Sequence, residues 1–143
     1  MKKITLSILM LLIISSTMLF ASGSNEKNEA DTENKEESTM AIYHEIEAPS
    51  VKQMLDDKEE FYFIDVRTPE EYEFSHIPGA VNIPLDVISS KAAESFDSKD
   101  SMIVVYCRSG ARSRVAAKEL VSLGYTKVYD LGGIISWPYE VTK

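Results

Sequence analysis

The sequence predicts an α/β domain with a mainly parallel sheet. Short apolar runs alternate with segments of helical pattern, which is typical of strand–helix–strand units. The run MIVVY at 102–106 contains no charged residue and indicates a strand buried on both faces. A helix-start signal at Thr68 follows the apolar run at 61–66, and a helix-stop signal at Gly124 comes after the run at 102–106.

Five stretches are expected to be strands. The run FYFIDV at 61–66 and the run at 102–106 are long and apolar enough to be central. The segment 127–129 is shorter, and the segments 80–82 and 42–46 carry weaker patterns.

Two expected helices lie in the first half of the domain. Residues 51–55 form a short amphipathic segment after Ser50. Thr68 has the pattern of an N-cap, Pro69 suits the first helical position, and Glu71 completes a capping box with Thr68. We therefore expect the second helix to begin at Pro69.

The third expected helix follows the strand at 102–106. It begins at Ser113 or Arg114 and ends at Leu123, where Gly124 is the expected left-handed stop. The residues expected on its apolar face are Val115, Ala116, Leu120 and Leu123.

Residues 1–23 have the order of a secretory signal. Two lysines precede an apolar stretch at 4–20, and the small residues Ala21, Ser22 and Gly23 follow it. Cleavage after Ala21 or Gly23 would give an exported, periplasmic or extracellular protein with no stable membrane insertion. The alternative is an uncleaved membrane anchor, because the stretch approaches the length that spans a bilayer.

The rest of the chain divides by composition. Residues 24–40 are almost free of apolar side chains and carry a net charge of −4, so a disordered linker is expected. Residues 41–143 are long enough for one domain with one core. This domain has 17 acidic and 11 basic residues, which argues against nucleic acid as a partner. We expect a monomer.

Cys107 is the only cysteine, and it lies where an open α/β sheet binds ligands. It follows a buried strand and precedes a helix, whose first N–H groups and dipole favour an anion. Such surroundings lower the pKa of a thiol and make it a nucleophile. Gly110 allows a tight turn, and Arg108 or Arg112 is suited to hold an incoming anion. The basic residues grouped here are Arg108, Arg112, Arg114 and Lys118.

Other interpretations of Cys107 stay open on these grounds. A lone cysteine is often a small buried hydrophobic residue, and in an exported protein it can link two copies. A dithiol oxidoreductase acting alone is excluded, because there is no second cysteine. Thiol phosphatases and arsenate reductases place arginine after five intervening residues, whereas Arg112 comes after four and Arg114 after six. The shorter loop favours one added sulfur atom over a phosphate.

A series of short motifs runs in order through residues 43–138. The motifs are Asp65-Val66-Arg67, Glu70-Glu71-Tyr72, His76-Ile77-Pro78-Gly79-Ala80, Asn82-Ile83-Pro84, the loop CRSGARS at 107–113, Gly124-Tyr125, Leu131-Gly132-Gly133 and Trp137. Together, at this spacing, they resemble single-domain rhodaneses, a family of sulfurtransferases.

The resemblance implies a three-layer α/β/α fold with a mainly parallel five-stranded sheet. It implies that Cys107 accepts a sulfane sulfur as a persulfide and passes it on. The donor would be thiosulfate or a persulfide, and the acceptor a thiol or cyanide; no metal or organic cofactor is implied. The residues implied to bind substrate through their amides are Arg108, Ser109, Gly110, Ala111 and Arg112. A binding or sensing module that uses the same pocket without turnover is the alternative.

Further residues are expected to support the site. Asp65 is expected to be a buried carboxylate that pairs with Arg67 or with loop amides. His76 is expected to fix a turn, with general-base catalysis as the alternative. Ser75 stands where the family usually has glycine, and serine is strained in a left-handed conformation. Trp137 is expected in the core or at the rim of the site.

Overall fold

Residues 42–143 are described by the computed structural model, and within them the chain forms five strands and four α-helices. The expected signal at 1–23 and linker at 24–40 lie outside these residues. The strands are β1 (His44–Glu45), β2 (Tyr62–Asp65), β3 (Val81–Asn82), β4 (Met102–Cys107) and β5 (Lys127–Gly133). The helices are α1 (Ala48–Asp56), α2 (Pro69–Phe74), α3 (Leu85–Ser95) and α4 (Ala111–Ser122), and a 3₁₀ helix spans Ile134–Ser136.

The strands of the described region form one parallel sheet in the order β1-β5-β4-β2-β3. β4 is central: Val105 pairs with Ile64 of β2, and Ile103 pairs with Val128 of β5. The predicted parallel, five-stranded sheet is confirmed.

Helices cover both faces of this sheet, and β4 shows how the sequence directs them. Ile103, Val105 and Cys107 lie in the core under α3 and α4, whereas Val104 and Tyr106 lie in the core on the α1 side. The alternation arises because successive residues of a strand point to opposite faces. All five are at most 1% exposed, which confirms a three-layer α/β/α architecture.

Helix α2 begins as predicted. The Thr68 hydroxyl accepts a hydrogen bond from the Glu71 N–H, and the Glu71 carboxylate accepts one from the Thr68 N–H at 3.1 Å. Pro69 occupies the first turn, where its missing N–H costs nothing. Ser75, at the end of α2, is extended with φ −168° and ψ 144°. Serine is therefore unstrained at the position where the family usually has glycine.

Helix α4 begins earlier than predicted. Gly110 is its N-cap with φ +96°, and no side chain caps this end, so the polar signal at Ser113 misplaced the start. The helix ends before Gly124, whose φ of +91° confirms the predicted stop.

The apolar face of α4 also differs from the prediction. Ala116 and Leu120 are buried as predicted, but Val115 is 45% exposed and Leu123 is 40% exposed. The helix instead turns Ala117 and other small or branched residues toward the sheet, because alanines allow close helix–sheet approach. The buried residues of α4 are Ser113, Ala116, Ala117, Leu120 and Val121.

Three further elements differ in extent from the sequence expectations. Helix α3 was not predicted at all: it follows Pro84 without a side-chain cap, and only Ile88 and Ala92 are buried. Helix α1 starts at Ala48, before the expected Val51. Strand β5 continues to Gly133 through an irregularity opposite Val105 and Tyr106 of β4. No helix within residues 42–143 combines the length and apolar character needed to cross a bilayer.

Candidate active site

Cys107 is the last residue of β4, at the carboxyl end of the central strand. Three loop residues follow before α4 begins at Ala111. Gly110 closes this loop with a positive φ, a conformation that costs glycine little and other residues more. The turn directs the N–H groups at the start of α4 back toward the end of β4. The site thus has the strand–loop–helix arrangement that the sequence predicts.

The Cys107 sulfur lies in a ring of hydrogen-bond donors. The Gly110 N–H donates to Sγ at an N···S distance of 3.1 Å. Burial raises the pKa of the thiol, since the residue is only 1% exposed. Hydrogen bonds from the N–H and hydroxyl of Ser113 and from the N–H groups of Gly110 and Ser109 lower it by more, so the net pKa is below its ordinary value. The thiolate is therefore stabilised mainly by the loop and the helix start.

Ser113, which stands in the motif at 107–113 and at the expected start of the helix, is also a donor to the Cys107 sulfur. It is fully buried, and its Oγ lies 3.2 Å from the carbonyl oxygens of both Gly110 and Gly132. A hydroxyl has one hydrogen, so donation to either carbonyl and donation to the Cys107 thiolate are alternatives. Rotation about the Cβ–Oγ bond lets the Ser113 hydroxyl donate to a carbonyl when Cys107 is a thiol and to the sulfur when Cys107 is a thiolate.

Arg112 is engaged by a carboxylate of α2. Its Nη1 and Nη2 donate to the two oxygens of Glu71 at 2.6 and 2.8 Å, a bidentate pair. The hydrogen bonds from Arg112, acting against burial, lower the pKa of Glu71 to about 2. The pKa of Arg112 is raised first by these hydrogen bonds and further by its attraction to Cys107. In the sequence Glu71 belongs to the capping box and to the motif at 70–72, and its pairing with Arg112 is a contact across 41 residues.

The other loop residues face solvent. The side chains of Arg108, Ser109 and Ala111 are exposed. The Arg108 carbonyl accepts a hydrogen bond from the Ile135 N–H at 3.2 Å, which fastens the loop to the 3₁₀ helix. The Ser109 N–H faces the sulfur, and the side chains of all three residues face the surface.

Gly133 supports the loop from below by direct backbone contact. A Cβ placed on Gly133 would lie 2.5 Å from the Arg108 oxygen and 2.7 Å from the Ser109 Cα. The approach is possible only without a side chain, whereas the Gly133 φ of −118° suits any residue. The motif at 131–133 contains this glycine, but only the fold shows that it contacts the backbone of the Cys107 loop.

Asp65 and Arg67 form the expected buried ion pair. Arg67 Nη2 donates to Asp65 Oδ2 at 2.6 Å and to the Ser75 carbonyl at 2.6 Å. The side-chain amide of Asn82 donates to the backbone carbonyls of Asp65 and Arg67, both at 2.9 Å. The pair thereby joins the ends of β2, α2 and β3, beside the loop rather than in contact with the sulfur.

His76 and Trp137 also have structural surroundings. His76 stacks on Tyr72 with ring centroids 3.8 Å apart, and its backbone pairs with Thr142 in both directions at 2.8 Å. Trp137 packs in the core on the α1 side, and its indole N–H donates to the Glu140 carbonyl. His76 forms a β-bridge with Thr142 just before the turn at 78–79, and Trp137 lies in the core.

A cleft of about 550 Å³ opens where the ends of β2, α2 and α4 meet. Among its lining residues are Val66, Arg67, Pro84 and Arg112. A larger hollow of about 940 Å³, lined by Lys52, Trp137 and others, lies on the α1 side. Arg112 lines the smaller cleft, whereas no residue of 107–113 lines the larger hollow. The part of the chain from 42 to 143 contains no cluster of three metal-ligating side chains.

Comparison with known proteins agrees with this geometry. A family model for the rhodanese-like domain matches residues 47–138. A sulfurtransferase of Allochromatium vinosum is 42% identical over 97 residues, covering 67% of this chain and 89% of that protein. The thiosulfate sulfurtransferase PspE of Escherichia coli is 40% identical over 73 residues, covering 51% of this chain and 70% of that protein. A solved structure of an E. coli rhodanese with anions has a TM-score of 0.56 and 36% identity, covering 59% of this chain and 99% of that one.

Fold and site define a class of α/β domains that carry a cysteine in an amide-lined loop between a central parallel strand and a helix. Within that class, the chain belongs to the rhodanese-like domain family.

Proposed function

We propose that the protein is a sulfurtransferase that carries the transferred sulfur as a persulfide on Cys107. The observation that supports this most is the 3.1 Å contact from the Gly110 N–H to the sulfur at the start of α4. Main-chain donors of this kind stabilise an anionic sulfur without titrating themselves. They suit a site whose sulfur is anionic both before and after it is loaded.

The first half of the reaction loads the cysteine, with thiosulfate as the proposed donor. The Cys107 thiolate attacks the outer sulfur of thiosulfate and forms a new S–S bond. The S–S bond of the donor breaks, and sulfite leaves with its electron pair. No proton moves in this step, so the lowered pKa of Cys107 is the main requirement for it.

The second half unloads the cysteine onto a thiol or cyanide. The acceptor anion attacks the outer sulfur of the persulfide, and the Cys107 thiolate leaves with the electron pair of the S–S bond. A thiol acceptor becomes a persulfide and cyanide becomes thiocyanate. Both halves balance without any other oxidant or reductant.

The charge around the loop supports sulfur rather than phosphate as the transferred group. Both guanidinium nitrogens of Arg112 that face α2 already bind the Glu71 carboxylate. A phosphate on the loop would bring a second anion to the same guanidinium group. The N–H groups of Ser109, Gly110 and Ser113 remain the donors for a single charged sulfur.

Export is part of the proposal and is supported by the sequence alone. Residues 1–23 would direct secretion and be removed, and residues 24–40 would link the new N-terminus to the domain. The intact mass of the protein from the native cell envelope and medium shows directly whether residues 1–23 are removed. Recovery of the full 143-residue chain in the membrane fraction would instead support the anchor.

The sulfur-transfer proposal is tested by mass and by turnover. After incubation with thiosulfate, the intact protein is expected to gain the mass of one sulfur atom, and Cys107→Ser is expected to gain nothing. Cyanide should then remove the added mass and release one equivalent of thiocyanate, which distinguishes an enzyme from a sulfur-binding module. An unchanged mass in the parent, or hydrolysis of an aryl phosphate in its place, would refute the proposal.

A further inference from the structure

Beside the Cys107 loop lies an exposed surface that we name the basic face: Arg108 of the loop together with Arg114, Val115 and Lys118 of α4. Residues 114, 115 and 118 follow helical spacing and therefore share one side of α4. All members of the basic face are exposed, and the apolar Val115 at its centre is 45% exposed. This surface starts at the active-site loop and continues along two turns of the helix.

The cations of the basic face have no partners within the described part of the chain. The ion pairs found between residues 42 and 143 are Lys52–Asp56, Arg67–Asp65 and Arg112–Glu71. Among residues 42–143, Arg108, Arg114 and Lys118 therefore make no ion pair, on a chain whose net charge is −8. A concentration of positive charge on an acidic protein attracts acidic partners to that place.

The fold itself gives no reason for these charges. Arg114 stands near the amino end of α4, whose first turn has no acidic residue. Cations near a helix N-terminus oppose the helix dipole, so they do not stabilise α4. Val115 is likewise placed in solvent, while the buried side of the helix is already filled by its alanines. Charge and an apolar centre together fit a protein contact.

We propose that the basic face docks an acidic polypeptide segment whose cysteine accepts sulfur from the Cys107 persulfide. This inference rests on the proposed function and names the acceptor class for it. The acceptor thiolate attacks the outer sulfur, takes it as a persulfide and leaves the Cys107 thiolate. Glutamates or aspartates of the segment contact Arg114 and Lys118, and an apolar side chain covers Val115.

The depth of the sulfur defines the shape of this partner. Cys107 is 1% exposed, so a rigid, flat protein surface does not reach it. The outer sulfur of a persulfide stands about 2 Å farther out than Sγ. A flexible segment that carries the thiol at a tip meets this requirement, with its acidic residues lying along α4.

The test uses two synthetic peptides of equal length with one cysteine each, one with four glutamates and one with four glutamines. The full chain is first loaded with thiosulfate, and the rate of sulfur transfer to each peptide is measured. At low salt the acidic peptide is expected to react about tenfold faster. In the Arg114→Gln/Lys118→Gln variant, and at about 0.5 M salt, this preference is expected to fall to about twofold or less.

A matched variant controls for net charge. Lys91→Gln/Lys127→Gln removes the same two charges from exposed positions on α3 and at the start of β5. It is expected to keep the preference for the acidic peptide. Loading by thiosulfate and discharge by cyanide are expected to stay within about twofold of the parent in both variants, because neither removes a loop residue.

The outcomes separate the two proposals. A chain that never gains sulfur contradicts the proposed function. A chain that gains sulfur but serves both peptides equally contradicts only the docking, as does a preference that survives loss of Arg114 and Lys118. Stronger inhibition by an oligonucleotide than by polyglutamate of equal charge would also overturn it and would indicate a nucleic-acid surface.

Discussion

Replacing Gly133 with alanine should disable the site through the backbone of the loop. The added Cβ would lie 2.5 Å from the Arg108 oxygen, about 0.9 Å short of an ordinary van der Waals contact. The Ser109 Cα at 2.7 Å stands in the same direction. Both contacts are main chain, so no rotamer change relieves them, and the loop must move by most of an ångström.

The expected magnitude follows from that displacement. A shift of about 1 Å in a catalytic group costs on the order of a hundredfold in rate, so kcat/KM for sulfur transfer from thiosulfate to cyanide should fall by about that factor. Overpacking is expected to lower the free energy of unfolding by about 1–3 kcal/mol, so the variant remains folded at room temperature if the parent has ordinary stability. Steady-state thiocyanate formation and urea unfolding measure the two effects.

A second glycine provides the control. Gly124 has a φ of +91°, and a Cβ there meets nothing within 4 Å among the described residues. Gly124→Ala should lose about 1–2 kcal/mol of stability through backbone strain and keep its kcat/KM. If Gly133→Ala is folded and retains activity within about twofold of the parent, the steric argument for the loop is wrong.

The remaining predictions concern the charges of the site. Ser113→Ala should raise the pKa of Cys107, because one donor to the thiolate is lost; we expect the midpoint of the alkylation rate to move up by about one pH unit. Glu71→Gln should lower the free energy of unfolding at pH 7 by about 1 kcal/mol, since the pair with Arg112 is partly exposed. The pKa of Glu71 is lowered to about 2 in the folded protein, so this stabilisation is present above its unfolded pKa and lost as the pH falls toward 2.

Neighbouring residues on the same helices are the controls for these two variants. Ser122→Ala removes a hydroxyl that donates to the Glu119 carbonyl and should leave the alkylation midpoint unchanged. Glu73→Gln removes an exposed carboxylate from α2 and should change stability less than Glu71→Gln at pH 7. An alkylation midpoint that is the same in Ser113→Ala and the parent would contradict the role of that hydroxyl. A stability difference between Glu71→Gln and the parent that persists at pH 2 would contradict the ion pair as its source.

Local signals in the sequence predicted much of the fold. The capping box at Thr68, the stop at Gly124 and the uncharged run before Cys107 each act within a few residues, and the structure confirms them. The position of Cys107 between strand and helix followed from the same signals. Asp65 and Arg67 pair across two residues, which is also a local contact.

What the sequence did not predict depends on contacts between distant segments. Glu71 meets Arg112 only because the ends of β2 and β4 adjoin in the sheet. Gly133 meets Arg108 for a similar reason, as neighbours at the ends of β5 and β4. Helix α3 has no side-chain cap, and only Ile88 and Ala92 are buried, so neither a start signal nor a long apolar face marks it in the sequence.

The depth of Cys107 has a consequence for how the chain behaves in an oxidising medium. A disulfide between two copies would require their Cα atoms to come within about 7 Å. At 1% exposure, the Cys107 backbone lies beneath its own loop and helix, so covalent pairing of two folded copies requires that loop to open. Folding thus shields the lone thiol from cross-linking while its hydrogen-bond donors lower its pKa, and small sulfur compounds or a flexible segment gain access that a flat protein surface lacks.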